Sequence, residues 1–240
     1  MGFNQNEEIS GTMGEDRTVQ AILFDSDNTL YDFKSAQLAA CDAVIAYTGI
    51  GNAENLDSYF ILNPFKGGNH LILTYYLNDI GISDDEILEN AWTIYTGIKL
   101  EKTILFDGVY ETLEQLRKRK ILLGIVSNAP LCDLCPSLEK TNIRKFFQCI
   151  VTADEANAKK PSLSPFGRAL SFLSTKPGNS LMVGDNIIND LVPAKKLGMK
   201  TILFNCWTGN QIAPSERQDV DYAIKEFGEI LTILDNYRLS

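Results

Sequence analysis

Short runs of apolar residues that end at polar residues recur along the chain, and the first is Ala-Ile-Leu-Phe at residues 21–24. This run leads directly into two carboxylates, Asp25 and Asp27. A continuous apolar run bounded by turn residues predicts a strand that is buried on both faces, as in a parallel sheet. Later runs predict further strands, which span residues 121–126, 148–152, 180–183, 200–204 and, for a short last strand, 222–224.

Between residues 31 and 103 the apolar residues recur with helical spacing, without the alternation of a strand. Ser35 is a suitable N-cap for the first helix of this segment. Residues 49–69 are rich in Gly, Asn and Pro and predict a loop. Helical spacing returns at 70–80, and Ser83 to Glu86 forms a capping box that begins another helix. We therefore expect an all-helical insert.

From Leu105 onward the predicted helices and strands alternate, which is typical of a parallel sheet with helical crossovers. In the helix after the strand at 180–183, Pro193 fits only the first turn, so this helix is expected to begin near Asn189 or Asp190. The predicted fold class is α/β, a three-layer parallel-sheet core with an inserted helical domain. The expected parts are a flexible tail at 1–18, a core formed by 19–30 and 104–240, and the insert at 31–103.

The composition is that of an ordinary globular protein, with 45% apolar and 22% charged residues. The 22 Lys and Arg face 31 Asp and Glu, a net charge of -9, so no broad positive field attracts nucleic acid or an anionic membrane. No apolar run approaches the roughly 20 residues that span a bilayer. We expect a cytoplasmic protein that binds neither nucleic acid nor membranes.

The cysteines are odd in number, five, and are scattered without a secretory signal, which favours reduced thiols. Cys132 and Cys135 form a Cys-x-x-Cys pair. A zinc site needs about two further ligands of this kind, but His70 is the one histidine and there is no second pair. The favoured interpretation is two small apolar residues three positions apart on a helix.

Taken alone, Asp25-x-Asp27 is typical of an ordinary loop start, where each carboxylate accepts backbone hydrogen bonds. The other strand ends change this interpretation. Ser127 and Asn128 follow the second predicted strand, and Asp185 follows the fourth. Because ligands of open parallel sheets bind beyond the carboxyl ends of the strands, these groups are expected to converge on one edge of the sheet.

Two further charged residues belong to this set, Asp190 five residues after Asp185 and Lys160 between the third and fourth strands. Carboxylates in close contact repel by about 4 kcal/mol per pair at an effective dielectric of about 20, so the cluster requires a cation. Oxygen ligands without histidine or thiolate select a hard ion. Mg2+ is the usual one where a substrate phosphate supplies another ligand.

This set of motifs resembles that of the haloacid dehalogenase superfamily, in order and in strand context, over residues 19–230. Its four parts are Asp25-x-Asp27-x-Thr29, Ser127, Lys160-Pro161, and Gly184-Asp185 with Asp190. The resemblance implies a Rossmann-like core, and it implies that the insert is the cap domain of members whose cap lies between the first two motifs. Asn28 stands where many members have Gly, but Asn also tolerates a left-handed turn conformation.

The resemblance implies a catalytic role for four residues. Asp25 would attack phosphorus as the nucleophile and become an aspartyl phosphate. Asp27 would protonate the leaving oxygen and then deprotonate water. Ser127 would donate a hydrogen bond to a phosphoryl oxygen, while Lys160 would neutralise charge. Lys160 is preferred to its neighbour Lys159 because it precedes proline, as in the motif.

The resemblance also implies a metal site and a substrate site. Asp25, Asp185 and the backbone carbonyl of Asp27 would hold Mg2+, with Asp190 either a ligand or an orienting residue. The candidates for contact with substrate are Asn128 beside Ser127 and, in the cap, Lys66 and His70. Further cap candidates are Tyr75, Trp92 and Lys99. For Tyr75 and Trp92 the favoured alternative is core packing, and for His70 it is a solvated or satisfied structural role.

The predicted function is Mg2+-dependent hydrolysis of a small soluble phosphorylated metabolite, such as a nucleoside monophosphate or a sugar phosphate, by a monomer or homodimer. Asp27 favours phosphate chemistry, because members that release a halide resemble this chain but generally lack a carboxylate there. Two alternatives stay open. A phosphomutase would use the same residues, and a regulatory binding protein would keep the fold without turnover.

Overall fold

The computed structural model describes residues 18–62, 69–204 and 217–237, so the predicted tail lies outside the described residues except for residue 18. The strands are β1 Ala21–Phe24, β2 Leu122–Ser127, β3 Cys149–Thr152, β4 Ser180–Gly184, β5 Lys200–Phe204 and β6 Tyr222–Ile224. They form one sheet in the order β3-β2-β1-β4-β5-β6, and every pair of neighbours is parallel.

β1 lies in the middle of this sheet, between β2 and β4. Phe24, its last residue, is level with Ile125 of β2 and Val183 of β4. All four residues of β1 are fully buried, as a strand covered on both faces requires. The predicted parallel sheet is confirmed, and the residues that follow β1 and β4 lie at the same edge.

In the described parts of residues 31–103, four helices follow β1, as expected of a helical insert. They are α1 Phe33–Thr48, α2 Ala53–Leu62, α3 Asn69–Asp79 and α4 Asp85–Lys102. They share an apolar core of their own, in which the Tyr95 ring stacks with Phe60 at 4.9 Å and with Trp92 at 5.6 Å between ring centroids. Such stacked pairs add to the energy of apolar burial.

The remaining helices cover both faces of the sheet and complete the predicted three layers. They are α5 Val109–Lys118, α6 Leu131–Lys140, α7 Ala153–Ala156, α8 Ser164–Phe172, α9 Val192–Leu197 and α10 Glu229–Tyr237. Ile22 and Phe24 share a core with α5, α6 and α10, whereas Ala21 and Leu23 share one with α8 and α9. None of the helices in the described ranges is both long and apolar enough to cross a membrane.

α2 lies where the sequence predicted a loop. Asn52 caps it, since Asn52 Oδ1 accepts a hydrogen bond from the N–H of Asn55 at 2.9 Å. Ala53, Leu56 and Phe60 are its buried residues, and their spacing is that of one helical face. The Gly and Asn residues around this short pattern led to the prediction of a loop. Burial of the apolar face against the other helices stabilises a helix instead.

Three helix starts also differ from prediction. Asp32 rather than Ser35 caps α1, and Asp84 rather than Ser83 caps α4, each with a side-chain oxygen 3.0 Å from a backbone N–H. After β4 the chain becomes helical at Ile187, in a π-helical turn over Ile187–Leu191 that continues into α9. Pro193 still lies in the first turn of α9, as expected of a residue without an N–H.

Candidate active site

The carboxyl ends of the central strands bring together the polar groups predicted there. Asp25 follows β1 and is buried, and its N–H donates to the carbonyl of Val183 at 2.9 Å. Asp25 Oδ2 accepts a hydrogen bond from Thr29 Oγ1 at 3.3 Å. Ser127 is the last residue of β2 and is also buried. Both the backbone and the side chain of Asp25 are therefore fixed by neighbours.

Lys160 reaches this edge from the segment between β3 and β4. Its Nζ donates to Asp25 Oδ1 at 2.5 Å and to Asp190 Oδ1 at 2.6 Å, and the residue is only 6% exposed. Burial lowers the pKa of Lys160, but the charges and hydrogen bonds of Asp190 and Asp25 raise it overall, so the ammonium stays charged. The neighbouring Lys159 is exposed. The structure thus brings Lys160 to the carboxylates.

Three carboxylates form one group at the end of the sheet. Oxygens of Asp25, Asp185 and Asp190 lie within 4.8 Å of one another. Burial is the largest cause that raises the pKa of Asp185 and of Asp190, and the charge of Asp25 adds to it, although Lys160 opposes both shifts. A single ammonium offsets only part of their charge. This all-oxygen set fits a hard divalent cation.

Gly184 provides the space through which Asp190 reaches the group. A Cβ added at Gly184 would lie 2.5 Å from Asp190 Oδ2 and 2.6 Å from Asp190 Cβ. Asp190 is 1% exposed, and its Oδ2 accepts a hydrogen bond from the N–H of Asn186 at 3.1 Å. The glycine at the end of β4 is therefore explained by close approach of a carboxylate.

Asp27 lies two residues beyond Asp25, but its carboxylate is not one of the three that cluster. It lines a cavity instead. Burial and then the charge of Asp25 raise the pKa of Asp27 to about 7, although Lys99 and Lys160 oppose the shift. A carboxyl group that titrates near neutrality can both donate and accept a proton. The metal contact through its backbone carbonyl stays a prediction.

Ser127 and Asn128 make hydrogen bonds within the chain. Ser127 Oγ lies 2.8 Å from Ser26 Oγ and accepts from the N–H of Ala129 at 3.0 Å. Asn128 Nδ2 donates to the carbonyl of Lys160 at 3.1 Å, and Asn128 Oδ1 accepts from the N–H of Lys160 at 2.8 Å. The Asn128 side chain thus holds the backbone that carries Lys160. Its predicted contact with substrate stays a prediction.

A cavity of about 780 Å³ lies over this edge of the sheet. Asp27, Asn128 and Lys160 line it from the sheet side, and residues of α1, α2, α3 and α4 line it from the insert. Two of the four catalytic candidates, Asp27 and Lys160, therefore face the same space as the helical insert, whereas Asp25 and Ser127 are not among the described residues that line it. The size is within the range of about 300–1,000 Å³ that holds small-molecule ligands.

The two cap residues predicted to bind substrate have different outcomes. Lys66 lies outside the described residues. His70 is not among the described residues that line the cavity. Its Nε2 lies 3.5 Å from Glu89 Oε1, and its ring packs edge-on against Trp92 at 5.1 Å. The adjacent Asn69 faces the cavity instead, because successive residues of a helix point about 100° apart.

Sequence reasoning missed much of the cavity wall, including Asn69 on α3 and Asp133 on α6. Asn69 Nδ2 donates to Asp133 Oδ2 at 3.3 Å and so joins the insert to the core. Asp133 lies in the first turn of α6, where an acidic residue is favoured by the helix dipole alone. An acidic residue at position 133 is therefore explained by the helix alone, and the sequence did not indicate that Asp133 lines the cavity.

Comparison with known proteins identifies the family. Residues 22–204 match the family model described as haloacid dehalogenase-like hydrolase. The chain is similar to pyrophosphatase PpaX of Oceanobacillus iheyensis, with 36% identity over 227 residues, 90% of this chain and 97% of that protein. It is similar to glyceraldehyde 3-phosphate phosphatase of Pyrococcus furiosus, with 25% identity over 226 residues, 91% of this chain and 94% of that protein.

A solved structure shows the same fold. The HAD-hydrolase YfnB of Bacillus subtilis, bound to magnesium, matches with a TM-score of 0.74 and 20% identity over 91% of this chain and 99% of that one. The family match confirms the superfamily and the hydrolase class predicted from the four motifs. The names of the two relatives agree with the predicted phosphatase branch. This chain belongs to the haloacid dehalogenase-like hydrolases.

Proposed function

We propose that this hydrolase cleaves phosphomonoesters of small soluble metabolites with Mg2+ as its cofactor, and that nucleoside monophosphates and sugar phosphates are the first candidates. One observation carries the proposal. The buried Lys160 ammonium binds Asp25 and Asp190 at 2.5 and 2.6 Å, at the edge where Asp27 lines the cavity. The names of the relatives, a pyrophosphatase and a phosphatase, support phosphoryl chemistry.

In the first half of the reaction a carboxylate oxygen of Asp25 attacks phosphorus, and the bond between phosphorus and the ester oxygen breaks. Asp27 gives its proton to that oxygen, which leaves as an alcohol. The Lys160 ammonium offsets the negative charge of the phosphoryl oxygens, and the Ser127 hydroxyl donates to one of them. Asp25 then carries the phosphoryl group as an aspartyl phosphate.

In the second half Asp27, now ionised, takes a proton from a water molecule whose oxygen attacks phosphorus. The bond between phosphorus and the Asp25 oxygen breaks, and inorganic phosphate leaves. Asp25 is again a carboxylate and Asp27 is again protonated. The placement of Asp27 on the cavity wall, outside the carboxylate group, supports this separate role.

Asp25, Asp185 and Asp190, with the backbone carbonyl of Asp27, would hold Mg2+. Their carboxylate oxygens lie within 4.8 Å of one another, close enough to share one ion. When bound there, the ion supplies positive charge that stabilises the phosphoryl oxygens. Asn186 orients Asp190 for this site through its N–H, which donates to Oδ2 at 3.1 Å.

The cap domain is proposed to comprise residues 31–103. Support comes from its separate apolar core and from its share in the wall of the cavity. A cap over the carboxyl edge of the sheet would exclude bulk water while Asp25 attacks, which strengthens every charge interaction inside. Movement of the cap would then admit substrate and release phosphate.

The test measures release of inorganic phosphate from a panel of nucleotides, sugar phosphates and phospho-acids. With Mg2+ the wild-type chain is expected to hydrolyse members of the panel, and Asp27→Asn is expected to lower kcat by about 100- to 10,000-fold. Asp42→Asn is the matched control, because Asp42 is exposed on α1. The proposal fails if chelation of divalent ions leaves the rate unchanged, or if Asp27→Asn hydrolyses the same esters as fast as Asp42→Asn.

A further inference from the structure

Among the described residues of the helical insert that line the cavity, Lys99 is the one with a positive charge. It lies in the last turn of α4, and its side chain is 14% exposed. Its Nζ lies 5.6 Å from the centroid of the Phe33 ring and 5.4 Å from that of Tyr95. Two aromatic faces attract an ammonium, but they leave its hydrogen-bond donors without an acceptor.

The counter-ion of Lys99 is Asp133, and their contact is loose. Lys99 Nζ and Asp133 Oδ2 are 3.8 Å apart, which is longer than a hydrogen bond. The same oxygen accepts from Asn69 Nδ2 at 3.3 Å. Within the described parts of the chain, no hydrogen bond from Lys99 Nζ accompanies these contacts. A largely buried ammonium with three donors therefore has one distant partner.

Lys99 shares one cavity with two of the catalytic candidates. Lys99, Asp133 and Asn69 line the same cavity as Asp27 and Lys160. A phosphoryl group bound next to Lys160 and Asp25 would leave the rest of the substrate in this cavity, where the insert supplies part of the wall. The polar groups of that wall then determine which of the cleavable substrates the enzyme prefers.

We propose that Lys99 binds a second anionic group of the substrate, so that the enzyme prefers phosphate esters or anhydrides whose other end carries a carboxylate or a second phosphoryl group. This inference rests on the proposed function and names the substrate class of the same cavity. An anion that accepts hydrogen bonds from Lys99 replaces its loose contact with Asp133. Charged hydrogen bonds of this kind shift affinity by about 10- to 100-fold.

The opposing possibility is that the Lys99 and Asp133 pair only joins α4 to α6. If the pair is purely structural, its removal lowers the stability of the protein and, with it, the activity on every substrate to the same degree. If Lys99 binds substrate, its removal lowers kcat/KM in proportion to the charge at the far end of the substrate. The two roles are therefore separated by the ratio of activities on charged and uncharged probes, measured on one enzyme preparation.

The experiment compares kcat/KM for phenyl phosphate, which has an uncharged far end, with phosphoglycolate and inorganic pyrophosphate, which have a carboxylate and a second phosphoryl group. Lys99→Met is expected to lower kcat/KM for at least one anionic probe by about tenfold or more beyond any change on phenyl phosphate. Lys99→Arg keeps the positive charge and should retain most of the preference. Asp133→Asn should lower KM for the preferred anionic probe, because a competing carboxylate is removed.

Lys102→Met is the matched control, because Lys102 lies on the same helix with its side chain 54% exposed and pairs with Glu101 at 3.0 Å. The inference is overturned if Lys99→Met slows all three probes equally, or if the wild type cleaves phenyl phosphate and neither anionic probe. A wild type that cleaves none of these probes and no member of the wider panel contradicts the proposed function itself. Thermal unfolding of each variant shows whether it is folded.

Discussion

Gly184→Ala is the substitution whose effect follows most directly from the geometry of the site. Gly184 ends β4, and an added Cβ would lie 2.5 Å from Oδ2, 2.6 Å from Cβ and 2.8 Å from Cγ of Asp190. Because real Cβ atoms essentially never approach within 3.0 Å, the Asp190 side chain has to move. It lies in a packed interior with few free directions, since it is 1% exposed.

The size of the effect can be estimated for stability and for rate. Forcing extra atoms into a packed core costs about 1–3 kcal/mol, and each kcal/mol lowers the melting temperature of a protein of about this size by roughly 2–4 °C. Asp190 also binds Lys160 at 2.6 Å, so its displacement moves the ammonium. A misplacement of about 1 Å at such a site lowers the rate by about 100-fold.

Thermal unfolding measures the expected loss of stability, and steady-state hydrolysis of the preferred ester measures the expected loss of rate. Gly97→Ala is the matched control, because Gly97 lies inside α4 and an added Cβ there meets nothing within 4 Å. Replacing a helix glycine by alanine should stabilise the protein by up to about 1 kcal/mol. A Gly184→Ala variant that melts at the wild-type temperature with the wild-type kcat would refute the reasoning.

Three other substitutions have defined outcomes. Asn128→Ala removes both hydrogen bonds to the Lys160 backbone, and steady-state kinetics and thermal unfolding should show a lower kcat and a loss of about 1–3 kcal/mol. Tyr31→Phe removes a buried hydroxyl that has no hydrogen-bond partner among the described residues, so denaturant titration should show a gain of about 1 kcal/mol. Asp221 is partly buried, which raises its pKa, but hydrogen bonds from two lysines and Thr201 bring the pKa below 3.8. Its ionised form therefore stabilises the fold above about pH 4, and the stability lost in Asp221→Asn at pH 7 should shrink as the pH falls below that.

The carboxyl edge of the sheet was predictable because it depends on few assumptions. Parallel strands bring the residues after β1, β2 and β4 to one place, and Asp25, Ser127 and Asp185 follow directly from that rule. Asn28 was expected to tolerate a left-handed turn, and its φ is 58°. The preference for Lys160 over Lys159 came from the family motif. The structure buries Lys160 against two carboxylates, and its catalytic role stays a prediction.

The wall that the insert contributes was not predictable, because it depends on how separate helices pack. α2 was missed because its apolar face has only three buried positions. The surrounding glycine and asparagine residues favoured the prediction of a loop. His70 and Asn69 are adjacent, and only the rotation of α3 decides which of them faces the cavity. The contact of Lys99 with Asp133 joins positions from α4 and α6, and no local pattern relates them.

The central claim is that Asp25 is the nucleophile that carries the phosphoryl group. It is tested most directly by quenching the wild-type enzyme in acid during turnover and locating the phosphoryl group by peptide mass spectrometry. We predict an acyl phosphate on the peptide that contains Asp25, and neither a phosphopeptide nor hydrolysis in Asp25→Asn. An Asp25→Asn variant that still hydrolyses the ester, or a phosphoryl group trapped on another residue, would contradict the account.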